Sequence, residues 1–223
     1  MAQYATEAVN TPVGDLEWVI ISGDGKEDIN GDPKYQASLV LDPENEKHQA
    51  FLDKVDAFWE ANKPQGFKGK TPSSNGLYPH KKDTGEKDEN GDRIYEETGK
   101  TLLATKTGTT YKDGKTKVIK VFNAKGAEVS LGDKKIANGS RGRIGCVMAI
   151  YATTDKSGKT IVNAGVTFYL NSLQLSKFVE YAGAGFDALD DDEMEDEDSF
   201  EGVGDMGGIS DEESTQAEKP RLD

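Results

Sequence analysis

The chain has one cysteine, Cys146, and two histidines, His48 and His80, among its 223 residues. A single thiol excludes an internal disulfide framework and a Cys-rich zinc site. The histidines do not form an H-x-x-x-H pair, and no G-x-S-x-G segment is present. Hydrophobic residues make up 35% and aromatics 8%, low for a chain folded throughout but enough for a core in part of it. No apolar run is long enough to cross a bilayer. The opening MAQYATEAVN has neither the basic start nor the apolar stretch of a secretion signal. A soluble cytoplasmic protein is expected.

Other familiar motifs fail on inspection. G-K-T occurs at Gly69, Gly99, Gly114 and Gly158, but the glycine a phosphate loop needs five positions earlier is replaced by Pro64, Ile94, Thr109 and Thr153. These repeats read as hairpin turns. The segments from Asp28 and Asp88 start like calcium loops. Their sixth positions are Pro33 and Arg93 rather than glycine, and their twelfth are Leu39 and Gly99 rather than glutamate. No metal and no cofactor are expected. Cys146, between Gly145 and Val147 in an apolar strand, reads as a buried small hydrophobe, and no catalytic residue is assigned. The chain is read as a non-enzyme.

Positive charge is also short overall, with a net charge of -14. By itself that balance opposes nucleic acid as a partner, because such binding draws on neutralised phosphates. Its distribution changes the reading. Residues 187–223 hold 16 acidic side chains against only Lys219 and Arg221, which equals the whole deficit. Residues 1–97 carry -9 and residues 98–186 carry +9. The division predicts a folded domain over 1–186 and a disordered acidic tail over 187–223, since like charges repel there and little can be buried. Within the tail, Asp190, Asp191, Asp192, Glu193, Glu195, Asp196, Glu197 and Asp198 run into Phe200. An acidic run with one aromatic anchor suits a basic groove with an apolar pocket, in its own body or on a partner. The plainer reading is a solubilising tail.

The body reads as all-β with one inserted helix. Alternation over 14–22 places Leu16, Trp18 and Ile20 on one strand face, and over 34–41 it places Tyr35, Ala37, Leu39 and Leu41 together. Phe51, Leu52, Val55, Phe58 and Trp59 form a helical stripe, predicting a helix over 43–62 capped by Asp42 with Pro43 in its first turn. His48 is placed beside the solvent-facing residues of that helix, and Trp59 in the core. Residues 64–99 read as long loops holding His80, with short strands near 76–78 and 93–95. Strands return from Thr101, the strongest being 143–154 and 159–175 joined by an Asp155–Gly158 turn. In the last of these, Val162, Ala164, Val166, Phe168 and Leu170 face one way, and Asn163, Thr167, Tyr169 and Asn171 the other. A small barrel or sandwich follows.

The basic half interleaves cations with rings. Lys106, Lys112, Lys115, Lys117, Lys120, Lys134, Lys135, Arg141, Arg143, Lys156 and Lys159 alternate with Tyr111, Phe122, Tyr151 and Tyr169. A single-strand groove requires this combination: cations track phosphates while exposed rings stack on bases of any identity. Tyr169 leads the ring candidates, because it shares a polar face with Asn163 and Thr167. Tyr151 follows, and Phe122 stands between core and platform. Arg141 and Arg143 fit a forked phosphate clamp or a pairing with the tail, while Gly139, Gly142 and Gly145 permit a bend and close backbone approach. The plain alternative is that the lysines form a solvated face.

In order and pattern the chain resembles the single-stranded DNA-binding proteins of T7-like and related tailed bacteriophages. The likeness rests on LEWVII, on YQASLVL running into DPENEKHQAFLDKVDAFW, on KVIKVFNAKGAEVS, IANGSRGRIGCVMAIYA and GVTFYLNSLQLSKFVEY, and on the acidic tail. It implies an OB-fold barrel with an inserted helix. It also implies sequence-independent coating of single-stranded DNA in phage replication, recombination and repair within the host cell cytoplasm. Members can promote annealing, and their tails contact replication proteins such as DNA polymerase or helicase. In one member the tail also mediates homodimer contacts and covers the groove. The family's tail ends in an aromatic residue, whereas this chain ends Pro220-Arg221-Leu222-Asp223 and keeps its acidic run with Phe200 internal. Other readings are an acidic interaction or nucleic-acid-mimic module without direct DNA binding, a phage structural protein, and a small enzyme using a carboxylate pair.

Overall fold

A computed structural model describes residues 4–181. The acidic tail, including Asp190–Phe200, lies outside the described residues. The elements are β1 (Thr6–Asn10), β2 (Gly14–Ile20), β3 (Lys26–Glu27), β4 (Pro33–Leu41), α1 (Glu46–Asn62), β5 (Leu77–Lys87), β6 (Arg93–Gly108), β7 (Lys120–Phe122), β8 (Glu128–Val129), β9 (Arg141–Thr154) and β10 (Ile161–Lys177). Five of them, in the order β2-β4-β6-β10-β9 and back to β2, close an OB-fold barrel with one inserted helix. Its hydrogen-bonded neighbours are antiparallel except at the β6–β10 seam, which pairs in parallel at Tyr169 and Lys106.

Two-residue alternation builds the interior. Tyr35, Ala37, Leu39 and Leu41 of β4 point inward, as do Ile144, Cys146, Met148 and Ile150 of β9 and Ala164, Val166, Phe168 and Leu170 of β10. Helix α1 adds Phe51, Val55, Phe58 and Trp59, with the Phe51 and Phe168 ring centres 6.4 Å apart. The β6–β10 seam is completed by the segment 73–76. Ser73 N–H donates to Ala164 O (2.8 Å), Val166 N–H to Ser74 O (2.9 Å), and Ala104 N–H to Gly76 O (2.9 Å). This short stretch supplies hydrogen-bond partners to both strands where direct pairing is sparse.

Several elements differ from the sequence-based expectation. Helix α1 begins at Glu46, not at residue 43, and its cap is Asn45, whose side chain accepts from Lys47 N–H and His48 N–H. Residues 42–45 form a turn instead, closed by Asn45 N–H donating to Asp42 O at 3.0 Å. His48 is buried rather than solvent-facing. Its Nδ1 accepts from Asp42 N–H (2.8 Å), so Nε2 carries the proton and donates to Val13 O (3.0 Å). The stretch over 64–99, read as long loops with short strands near 76–78 and 93–95, contains an eleven-residue strand, β5, and the first part of β6, paired as a long hairpin. Cross-strand pairs such as Lys81–Glu97 and Lys82–Glu96 keep both of its faces polar, which hides the strand period. His80 therefore sits in β5, not in a loop, between Thr98 and Glu17. Strand β1, paired with β9 from Ala149 to Gly145, had no sequence counterpart.

Cys146 is 3% exposed, and burial pushes its thiol up to about 12. A thiol-modifying reagent at pH 8 should leave the native protein unlabelled and label it fully in guanidinium. Rapid labelling of the native protein would show β9 to be open.

Candidate functional site

The outer barrel face is formed where β4, β6, β10 and β9 lie side by side. Lys106 on β6 is opposite Gln36 of β4 on one side and Tyr169 of β10 on the other. Tyr169 in turn faces Val147 of β9, and Tyr151 of the same strand faces Gly165. Between the two rings lie Ala149 and Thr167, a pairing of small side chains. Tyr169 and Gly165 are four strand steps apart, about 13 Å along the backbone.

Tyr78 completes the arrangement from β5. It is opposite Leu102 and, with Ser74, Lys106, Tyr151, Thr167 and Tyr169, lines an open groove of about 380 Å³. Tyr78 and Tyr169 are each 50% exposed, far more than a core ring would be. Tyr151 is half-buried, and burial together with the neighbouring Tyr78 raises its phenol above the usual range. Gly165 beneath it has no alternative: a Cβ there would lie 2.0 Å from Ser74 O and 2.9 Å from the Tyr151 ring. Gly76, at φ 70°, allows the same segment to pass close to Phe168.

The structure brings together Lys106, Tyr151 and Tyr169 of the expected residues, and adds Tyr78. The sequence offered only a short strand near 76–78 within a loop-rich stretch, a weak signal for a platform. The remaining cations are distributed around this groove rather than in it. Tyr111 is 53% exposed in the turn after β6, with Lys117 Nζ 5.3 Å from its ring centre and 2.7 Å from Thr107 Oγ1. Lys112 and Lys115 share that turn, Lys115 pairing with Asp113 at 3.1 Å. Lys120 pairs with Glu128 at 2.8 Å and Lys134 with Glu180 at 2.6 Å, while Lys135 is exposed beside it. Such exposed pairs are weak, because water and salt screen them, and they release readily to a phosphate. Lys156 and Lys159 occupy the tip of the β9–β10 hairpin, whose turn is organised by Asp155 Oδ1 accepting from Ser157 N–H and Lys159 N–H.

Arg141 and Arg143 share the outward face of β9 with Tyr151, but Arg143 is eight residues away, about 26 Å along the strand. Arg141 Nε approaches Asp15 at 3.1 Å, and Arg143 Nε donates to Gln174 Oε1 at 2.6 Å. Phe122 is half-buried and shares a smaller hollow with Arg143, Asn10 and Gln174. Gly142 and Gly145 serve close approach as expected. A Cβ at Gly142 would lie 2.3 Å from Gln174 O, and one at Gly145 2.4 Å from Ser172 Oγ. Asp28 and Asp88, the first positions of the rejected calcium loops, each turn a carboxylate onto two backbone N–H groups of their own turn. Among the described residues no cluster of three metal-binding side chains occurs, and no helix is long and apolar enough to cross a membrane.

The architecture is therefore that of an OB-fold protein with an aromatic groove on its outer face. No protein-family model and no curated protein matches the chain. Among solved structures it is similar to the single-stranded DNA-binding protein from bacteriophage Enc34 in complex with single-stranded DNA. That match has a TM-score of 0.50 at 16% identity, covering 79% of this chain and 89% of that one. The C-terminally truncated Enc34 protein gives 0.49 at 15% identity, covering 78% and 87%. Gp2.5, the single-stranded DNA-binding protein encoded by bacteriophage T7, gives 0.47 at 17% identity, covering 92% and 100%. At these identities the likeness is one of fold.

Proposed function

We propose that this protein binds single-stranded DNA with little base preference, acting in phage replication and recombination. The observation that carries the reading is the groove in which Tyr78, Tyr151 and Tyr169 surround Lys106. Three rings around one cation on an open strand face suit unpaired bases and their phosphates, because every base has a face to stack and none need be read by hydrogen bonds. OB folds bind oligonucleotides on the face of their second and third barrel strands, which here are β4 and β6, flanked by the loops of residues 21–32 and 155–160. The Enc34 protein, similar in fold, forms a complex with single-stranded DNA. Lys112, Lys115, Lys117, Lys156 and Lys159 then act as outlying phosphate contacts, and Arg141 and Arg143 serve a strand that continues along β9.

The acidic tail competes with DNA for these cations in this reading, and its Asp190–Phe200 run recruits replication proteins such as a polymerase or helicase. The test is a salt series with single- and double-stranded oligonucleotides against the full chain and a chain ending at residue 186. Single strands should bind far better than duplex. Removing the tail should tighten single-strand binding about tenfold or more at low salt, with the gain shrinking as salt rises. Unchanged affinity on truncation would remove the competing tail. Absence of binding by both forms would leave the acidic interaction module instead.

A further inference from the structure

Trp18 is the large side chain whose surroundings the tyrosine groove does not explain. It stands at φ 52°, the one non-glycine residue with positive φ among the described residues, and its side chain is 56% exposed. Two-residue alternation predicts it inside with Leu16. The register instead slips between Glu17 and Ile20, and the bulge turns the indole outward. A bulky residue in the left-handed region is strained, and it persists only where neighbours hold it. Here Asn138 Oδ1 accepts Trp18 N–H at 3.1 Å, and Gln36 Nε2 donates to Trp18 O at 3.3 Å. Two side chains from other strands and loops thus hold a conformation whose visible result is an exposed ring.

The position of that ring points to its partner. Gln36 is opposite Lys106, and Lys106 is opposite Tyr169; on β2 the register partner of Gln36 is Ile20, and its side chain reaches back to Trp18 O, so the bulged Trp18 adjoins the end of a row that crosses β2, β4, β6 and β10. Three strand spacings make the row about 14 Å long, well inside the ~4–16 nucleotides that one OB fold covers. The indole also borders a separate hollow of about 810 Å³ shared with Tyr181, Lys134, Lys135 and Asp24. Tyr181 is 54% exposed. Rings beside lysines, at the end of the row that starts from Tyr169, fit a nucleotide better than a protein side chain.

We infer that Trp18 is a second base-stacking platform, receiving the part of a single strand that leaves the tyrosine groove toward Lys134 and Lys135. The inference rests on the single-strand reading above. Its test uses the second tryptophan as an internal control, since Trp59 is 2% exposed and packed edge-on against Phe67 at 5.7 Å. Full-length protein is titrated with labelled oligothymidylates of about 5 and 15 nucleotides, chosen to straddle the usual footprint. Label anisotropy reports binding, and tryptophan emission reports contact.

The longer oligonucleotide should quench emission, and Trp18→Phe should abolish the quench. Trp18→Gly should weaken the longer oligonucleotide about tenfold and the shorter one little, while Tyr169→Ala weakens both. Glycine accepts this backbone conformation without strain, so Tm should hold or rise; a structural role would instead lower it. Binding by anisotropy with no quench, and equal affinity of Trp18→Gly, would overturn the platform while sparing the tyrosine groove. No binding of either oligonucleotide would overturn both.

Discussion

Changing Tyr78, Tyr151 and Tyr169 together to alanine should lower single-strand affinity at least a hundredfold and leave a folded protein. Each ring that stacks on a base contributes about 1–3 kcal/mol by such substitutions, and the losses need not add because the rings share one groove. The effect on stability is smaller, since Tyr78 and Tyr169 are half exposed and contribute little buried area. Tyr151 is the exception, because its ring rests on Gly165 and its loss should cost on the order of 1 kcal/mol. Anisotropy titration and a thermal melt on the same sample separate the two effects. Unchanged affinity in a folded triple variant would place the DNA elsewhere and remove the groove as the binding surface.

Gly165→Val should act through the fold, and with comparable force. Its Cβ would meet Ser74 O at 2.0 Å, a backbone atom held from both sides by the hydrogen bonds of residues 73–76. Either the segment lifts away or β10 shifts. Each choice breaks hydrogen bonds at the seam where β6 and β10 have little direct pairing. A cost of about 3 kcal/mol is expected, which for a domain of this size lowers Tm by roughly 10 °C. DNA affinity should fall with it, because Ser74 and Tyr78 line the groove from the displaced side. A variant that melts like the parent would show that the segment is not needed to close the barrel.

Much of the barrel was legible because strands buried on one face carry their period openly. Tyr35, Ala37, Leu39 and Leu41 alternate as the core requires, as do Ala164, Val166, Phe168 and Leu170. The β5–β6 hairpin was legible only as short strands near 76–78 and 93–95, not at its full length. Both its faces are polar, so hydrophobic alternation had nothing to report. Trp18 was misplaced because a bulge shifts the period by one residue, and bulges leave no trace in composition. His48 was misread because its partners, Asp42 N–H and Val13 O, are backbone groups that become neighbours only in the folded chain.

The candidate site divides in the same way. Residue types, the +9 balance of residues 98–186 and the concentration of acid after residue 187 are properties of the sequence, since charge and composition need no coordinates. So is the strand face on which Tyr169 lies, whereas both faces of the Tyr151 strand are apolar and leave its side undecided. The assembly of these residues was decided by tertiary structure. Lys106 meets Tyr169 across a parallel seam, and Tyr78 arrives from a long hairpin of which the sequence shows only short strands near 76–78 and 93–95. Arg143, though on the same strand face as Tyr151, is carried to the far end of β9. Composition can say which groups a strand-binding surface would use. Barrel closure and register determine which of them share one groove, because both depend on pairings between residues far apart in the chain.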